Sequence, residues 1–143
     1  MIRVDEVTSF TPELLAAVGG LVPQLTVKPP PSETELRALV ESDCSTLVVA
    51  RDDRDAICGM ACVSVYRVPT GIRAVIEDVV VDSSLRGQGI GELLTRRCLN
   101  VARRKGVASV TLTSNPAREA ANRLYLRMGF TLRETNSYIY RFA

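Results

Sequence analysis

Three glycines fall within five positions at Gly87, Gly89 and Gly91, and few features restrict a fold more. Glycine loses more backbone freedom on folding than any other residue, so such a cluster needs a physical cause. It sits between two opposed patterns in "IRAVIEDVVVDSSLRGQGIGELL". The stretch before it is long, β-branched and nearly continuous, which predicts a strand buried on both faces. After it, Ile90, Leu93, Leu94, Cys98, Val101 and Ala102 recur at helical spacing. They predict an amphipathic helix whose basic end, Arg103 to Lys105, complements the helix dipole before Gly106. A loop between such a strand and such a helix offers free backbone N–H groups at the positive end of a dipole. That is an anion site, and glycines let a phosphate come close to the main chain.

The flanking sequence supplies the rest of a domain. "IRVDEV" alternates as a short strand. "TPELLAAVGGLVPQL" opens with a Thr cap and a proline at the first helical position. "VKPPPS" is a stiff, polyproline-like connector. Ser32-x-x-Glu35 then has capping-box form ahead of a second helix. "STLVVARD" and "AICGMACVSVYRV" flank "DDRD" as a hairpin. "VASVTLTS" predicts another strand, and "NPAREAANRLYLRMGF" a helix from near Pro116 to Gly129. "FTLRE" and "SYIYRF" predict a closing strand pair. The order βααβββαβαββ implies one mixed α/β domain over 1–143, with a mostly antiparallel central sheet flanked by about four helices.

Composition narrows the chemistry. With 143 residues, 46% hydrophobic, the chain can bury a full core, and its net charge of +2 argues for neither nucleic acid nor an anionic membrane. "MIRVDEVTSF" carries acids where an apolar leader would stand, so a cytoplasmic protein is expected. The four cysteines (Cys44, Cys58, Cys62, Cys98) form no CxxC pair, and there is no histidine. No metal site is expected, and the thiols read as reduced small hydrophobes. Without histidine, a general base must be Asp, Glu, Tyr, Cys, Lys or a water.

Two phosphate motifs fail on the glycine cluster. The P-loop and the dinucleotide fingerprint both need glycine where Glu92 stands. Arg86-x-x-Gly89-x-Gly91 fits a third pattern. It resembles the R/Q-x-x-G-x-G/A signature of the GNAT superfamily of N-acetyltransferases, and "ANRLYLRMGF" resembles that family's second signature. The element order is also similar, so the resemblance spans nearly the whole chain and implies the acyl-CoA N-acyltransferase fold.

The resemblance implies acetyl-CoA as acetyl donor, with its pyrophosphate on the loop of Arg86, Gly87, Gln88, Gly89, Ile90 and Gly91. It implies that the main chain of Val79 and Val81 pairs with the pantetheine arm. Many family members carry a cofactor-touching Asn where Arg118 stands here, and Asn122 or Asn115 is the substitute contact. A Glu at the place resembling Glu77 often serves as base, commonly through a water. Asp78 is its neighbour, and adjacent strand residues face opposite ways unless a bulge intervenes. Tyr125 is the candidate acid for the departing thiolate. Its ordinary pKa near 10 lies above that of a thiol, so it arrives protonated.

The reaction so implied is direct transfer to a primary amine of a small molecule or peptide, with no acetyl-enzyme on Cys62 or Cys98. "IEDVVV" also resembles the matching strand of glucosamine-phosphate N-acetyltransferases. The acceptor is expected to meet "LVPQLTVKPPPS", the Tyr66–Arg67 turn and "RETNSY", and a homodimer is compatible with the sequence. The competing reading is a catalytically weak acyl-CoA sensor, which would need neither Glu77 nor Tyr125.

Overall fold

Successive strands pair in simple chain order. In the computed structural model, which describes residues 1–143, β1 (Arg3–Glu6), β2 (Ser45–Arg51), β3 (Ile57–Val68), β4 (Gly71–Val81) and β5 (Val110–Leu112) form one sheet in the order β1-β2-β3-β4-β5. Every neighbouring pair is antiparallel except β4 and β5, which are parallel. Parallel strands need a crossover, and α3 (Ile90–Arg104) supplies it. The chain divides into two compact units, Met1–Thr113 and Ser114–Ala143. The whole sheet belongs to the first.

The helices of the first unit start where their caps put them. Thr11 Oγ1 accepts from Leu14 N–H at 3.1 Å and Pro12 opens α1 (Pro12–Leu21). Ser32 and Glu35 form a reciprocal capping box at the start of α2 (Glu33–Glu41). Leu14, Val18 and Leu21 of α1 and Leu36 of α2 bury against Leu47, Val49, Met60 and Val80 of the sheet. The opposite sheet face carries Val48, Ala50, Ala61, Val63 and Ile76. It is covered by α3 through Ile90, Leu94, Cys98, Val101 and Ala102, all buried. Thr95 is buried on the same helix and returns its hydroxyl to Gly91 O at 2.7 Å. At the far end of α3, Arg104 grips Glu6 of β1 with bonds of 2.7 and 3.2 Å, and Arg97 stands 3.6 Å from the same carboxylate. The Arg104 hydrogen bond, with both guanidinium charges, holds the Glu6 carboxyl below its usual range against its partial burial. The basic helix end thus serves the fold.

β4 departs from the expected double-sided burial. Its register runs Cys62↔Glu77 and then Met60↔Val80, so Ala61 faces two residues, Asp78 and Val79. This is a β-bulge, with Asp78 in the left-handed region at φ 55°. The extra residue reverses side-chain parity. Ala74 and Ile76 turn to the α3 face, while Val80 turns to the α1 and α2 face. The nearly continuous apolar run reflects that switch of face, and Glu77 and Asp78 are exposed between its halves.

The second unit contains α4 (Glu119–Met128). Its start lies later than Pro116, because Asn115 Oδ1 accepts from Ala117 N–H at 2.8 Å and Asn115 O from Arg118 N–H at 2.9 Å, which holds a turn there. Residues 130–143 form neither helix nor strand, so the expected closing pair is absent. Alternation fixes which face a side chain takes, but a strand exists only through a ladder partner. Leu132, Tyr138, Tyr140 and Phe142 are exposed there.

Gly59 marks where sheet and helix approach most closely. A Cβ there would lie 3.1 Å from Leu94 Cδ1 and 3.1 Å from Val80 O, and the carbonyl is fixed in the sheet. Gly59→Ala is expected to destabilise the protein by about 1–3 kcal/mol. Urea unfolding measures this, and an unchanged midpoint would refute the tight contact.

Candidate active site

Parity also decides which edge of β4 is free. Asp82 N–H donates to Cys58 O at 2.8 Å, which makes Cys58 and Asp82 a hydrogen-bonded pair. Met60 and Val80 are the next such pair, so the N–H and C=O groups of Val79 and Val81 face the opposite edge. On that edge β5 pairs only with Ala74, Val75 and Ile76 and ends at Leu112. From Glu77 to Val81, β4 therefore offers an edge with no strand beside it. The Val81 carbonyl on this edge accepts from Arg86 Nε at 3.2 Å, which folds the loop back against the strand.

The glycine loop continues from that edge. Residues 83–85 make a 3-10 turn, and Gly87 and Gly89 both take φ 79°. A Cβ at either would meet no protein atom within 4 Å, so the left-handed backbone is the protein's own reason for glycine at these two positions. Gly91 is different: it lies in the first turn of α3 without a positive φ. Gly89 caps α3 with no side-chain hydrogen bond, unlike Thr11 and Ser32 at the starts of α1 and α2. The N–H groups of Ile90, Gly91 and Glu92 precede the first helical bond, Leu93 N–H to Gly89 O. Gln88 is exposed between the two glycines. These groups can bind an anion through the main chain alone.

Of the two candidate carboxylates, Glu77 immediately precedes the bulge and Asp78 lies in it. Glu77 sits opposite Cys62, and both carboxylates act on that thiol. Burial first, then the charges of Asp78 and Glu77, push Cys62 up to about 11. Burial likewise pushes Cys98 up to about 12. Neither thiol is a ready nucleophile at neutral pH.

In the second unit, Tyr125 is buried on α4 and the helix exit locks it. Gly129, at φ 103°, donates to Leu126 O at 3.1 Å, and Phe130 N–H donates to Tyr125 O at 2.9 Å. This is a Schellman motif with its apolar contact: the Phe130 ring meets the Tyr125 ring edge-on at 5.7 Å. "LYLRMGF" is thus a helix stop that also fixes the tyrosine. Asn122 Nδ2 donates to Asn115 O at 3.1 Å, so both asparagines stitch the start of α4. Arg118 precedes that helix.

Sequence reasoning missed Phe130 as the support of Tyr125, and it missed Gln24, whose side-chain oxygen accepts from Ser83 N–H at 2.8 Å. The Gly-Phe pair was a usable sign of the first. Nothing local marks the second.

The acetyltransferase (GNAT) family profile matches residues 19–130. A mycothiol acetyltransferase from Renibacterium salmoninarum is 30% identical over 69% of this chain, and the chain spans about a third of that protein (31%). Glucosamine 6-phosphate N-acetyltransferase 1 from Oryza sativa subsp. japonica is 31% identical, with 85% of this chain and 77% of that one covered. Among solved structures, an acetyltransferase from Trypanosoma brucei superposes with a TM-score of 0.79 at 26% identity, covering 99% of this chain and 100% of that one. The chain belongs to the GNAT acetyltransferase family. By class it is an N-acetyltransferase, of the kind that draws acetyl groups from acetyl-CoA.

Cys44 is exposed, Cys62 half-buried, and Cys58 and Cys98 buried. Iodoacetamide at pH 7 is expected to modify Cys44 first and to spare the other three until the protein unfolds. Peptide mass mapping reads this, and fast labelling of Cys62 would reopen a thiol carrier.

Proposed function

We propose that residues 1–143 act as one domain that transfers the acetyl group of acetyl-CoA directly to a primary amine of a small molecule or peptide. The observation that carries this reading is the continuity of the site. The free edge of β4 runs into a left-handed glycine loop and then into a helix start with no side-chain cap. An extended thioester arm needs the first, and a pyrophosphate needs the other two. In this reading Val79 and Val81 pair with the pantetheine. The main chain of Arg86, Gly87, Gln88, Gly89, Ile90 and Gly91 holds the pyrophosphate, and Asn122 adds a contact from α4.

The amine nitrogen attacks the thioester carbonyl, the C–S bond breaks, and CoA leaves as a thiolate. The ammonium proton passes to Glu77, directly or through a water, and Tyr125 returns a proton to sulfur. The rice relative's name specifies an amino sugar phosphate, which supports a small-molecule acceptor. Four unpaired thiols suit a reducing compartment, so the cytoplasm is the proposed location. The modest net charge supports no role for nucleic acid or a membrane surface, and no helix is long and apolar enough to cross a membrane. The exposed apolar side chains of 130–143 support pairing of two copies.

Valine in a left-handed position is strained, so Gly89→Val reshapes the loop. Acetyl-CoA affinity is expected to fall more than tenfold, about 1.4 kcal/mol. Calorimetry giving equal affinity in both proteins would move the phosphate elsewhere.

Two further variants divide the proton work. Glu77→Gln should slow turnover at neutral pH and recover partly as pH rises, because more acceptor is then already neutral. Tyr125→Phe keeps the ring contact with Phe130 and should lose about 10²–10⁴-fold in kcat with acetyl-CoA affinity unchanged. Undiminished turnover by either variant removes that residue from the mechanism. Binding of acetyl-CoA without acetylation of any amine in a broad panel would point to a sensor.

A further inference from the structure

Gln24 ends the 3-10 turn that follows α1, at the start of the segment proposed to meet the acceptor. Its side chain crosses to the residues that open the cofactor loop. Gln24 Oε1 accepts from Ser83 N–H at 2.8 Å. Gln24 Nε2 donates to Gly20 O at 3.2 Å and reaches Asp82 Oδ1 at 3.4 Å. Asp82 in turn accepts from Ser84 Oγ at 3.2 Å and, through its carbonyl, from Leu85 N–H at 2.9 Å. These bonds, with Arg86 on Val81, stitch residues 82–86 immediately ahead of the left-handed glycines.

The amide is matched to its surroundings at both ends. Turned over, its NH₂ would face the Ser83 N–H and its oxygen the Gly20 carbonyl, which loses both bonds. Glutamate would set a carboxylate beside Asp82 and against Gly20 O. Asparagine is one methylene short.

We infer that Gln24 is a positioning residue that ties the acceptor-side segment to the cofactor loop, so that cofactor binding orders the surface which receives the amine. The inference rests on the cofactor reading above. Ligand-induced ordering at 83–94 passes through Ser83 and Asp82 to Gln24, and from there into residues 22–32. The prolines of "VKPPPS" leave that connector little backbone freedom of its own, so fixing one end restrains its length.

Hydrogen exchange with coenzyme A as the probe tests this. In the parent protein, coenzyme A should slow exchange both at 83–94 and at 22–32. In Gln24→Met, which keeps the side-chain length and loses all three bonds, slowing at 83–94 should persist while slowing at 22–32 falls about fivefold or more. Ser83→Pro cuts the link from the other side. Ser83 opens its 3-10 turn, where proline is accepted, and Asp82 already has the extended backbone (φ −49°, ψ 133°) that a following proline requires. Both variants should melt within a few degrees of the parent. Their acceptor KM at saturating acetyl-CoA should rise about three- to tenfold with kcat little changed, the scale of one or two hydrogen bonds. Equal slowing at 22–32 in parent and variants would overturn the link. An absence of slowing at 22–32 in the parent, with 83–94 protected, would do the same. No slowing at 83–94 in the parent would instead defeat the cofactor reading.

Discussion

Because Ala61 faces two residues of β4 rather than one, a single strand anchors both helical layers and then leaves its outer edge open. Ile76 is committed to the α3 side and Val80 to the α1 and α2 side, with the reversal completed between them. A left-handed φ at a non-glycine residue is a cost of order 1–3 kcal/mol, and the chain sustains it at Asp78. Two well-packed faces hold the strand on either side of that point. The same irregularity places two exposed carboxylates where β5 gives out.

The helix ends divide between closure and availability. Thr11 closes α1, the Ser32 and Glu35 box closes α2, and Gly129 with Phe130 closes the exit of α4. The two N-terminal caps are each worth about 0.5–2 kcal/mol. Neither α3 nor α4 begins with a side-chain cap, and the stability of α3 comes from burial of one complete face. A helix secured in this way can leave its first N–H groups to a ligand.

Much of this was legible in the sequence because it is local. Caps, helical stripes and the glycine loop are short-range patterns, and β1 to β5 and α1 to α4 follow them. The failures are long-range. The apolar run of β4 carries no local sign that its middle changes face, since side-chain alternation is defined only against a partner strand. "SYIYRF" is rich in strand-forming residues, yet pairing depends on a neighbour that composition cannot name. The strand, loop and helix that carry the candidate positions were readable from residue type and spacing. The thiols' poor reactivity depended on burial, and Gln24 on a meeting of residues far apart in the chain.

A loop whose donors are backbone amides evolves under unusual rules. Its recognition is encoded in dihedral angles, so Gln88 and the exposed side chains around it can drift without altering the donors themselves. Gly87 and Gly89 cannot drift so freely, because a side chain is strained at their φ of 79°. Homologous loops can therefore diverge in most letters while presenting the same array of N–H groups. The surface around the loop is then free to acquire new charge or new contacts without disturbing that array.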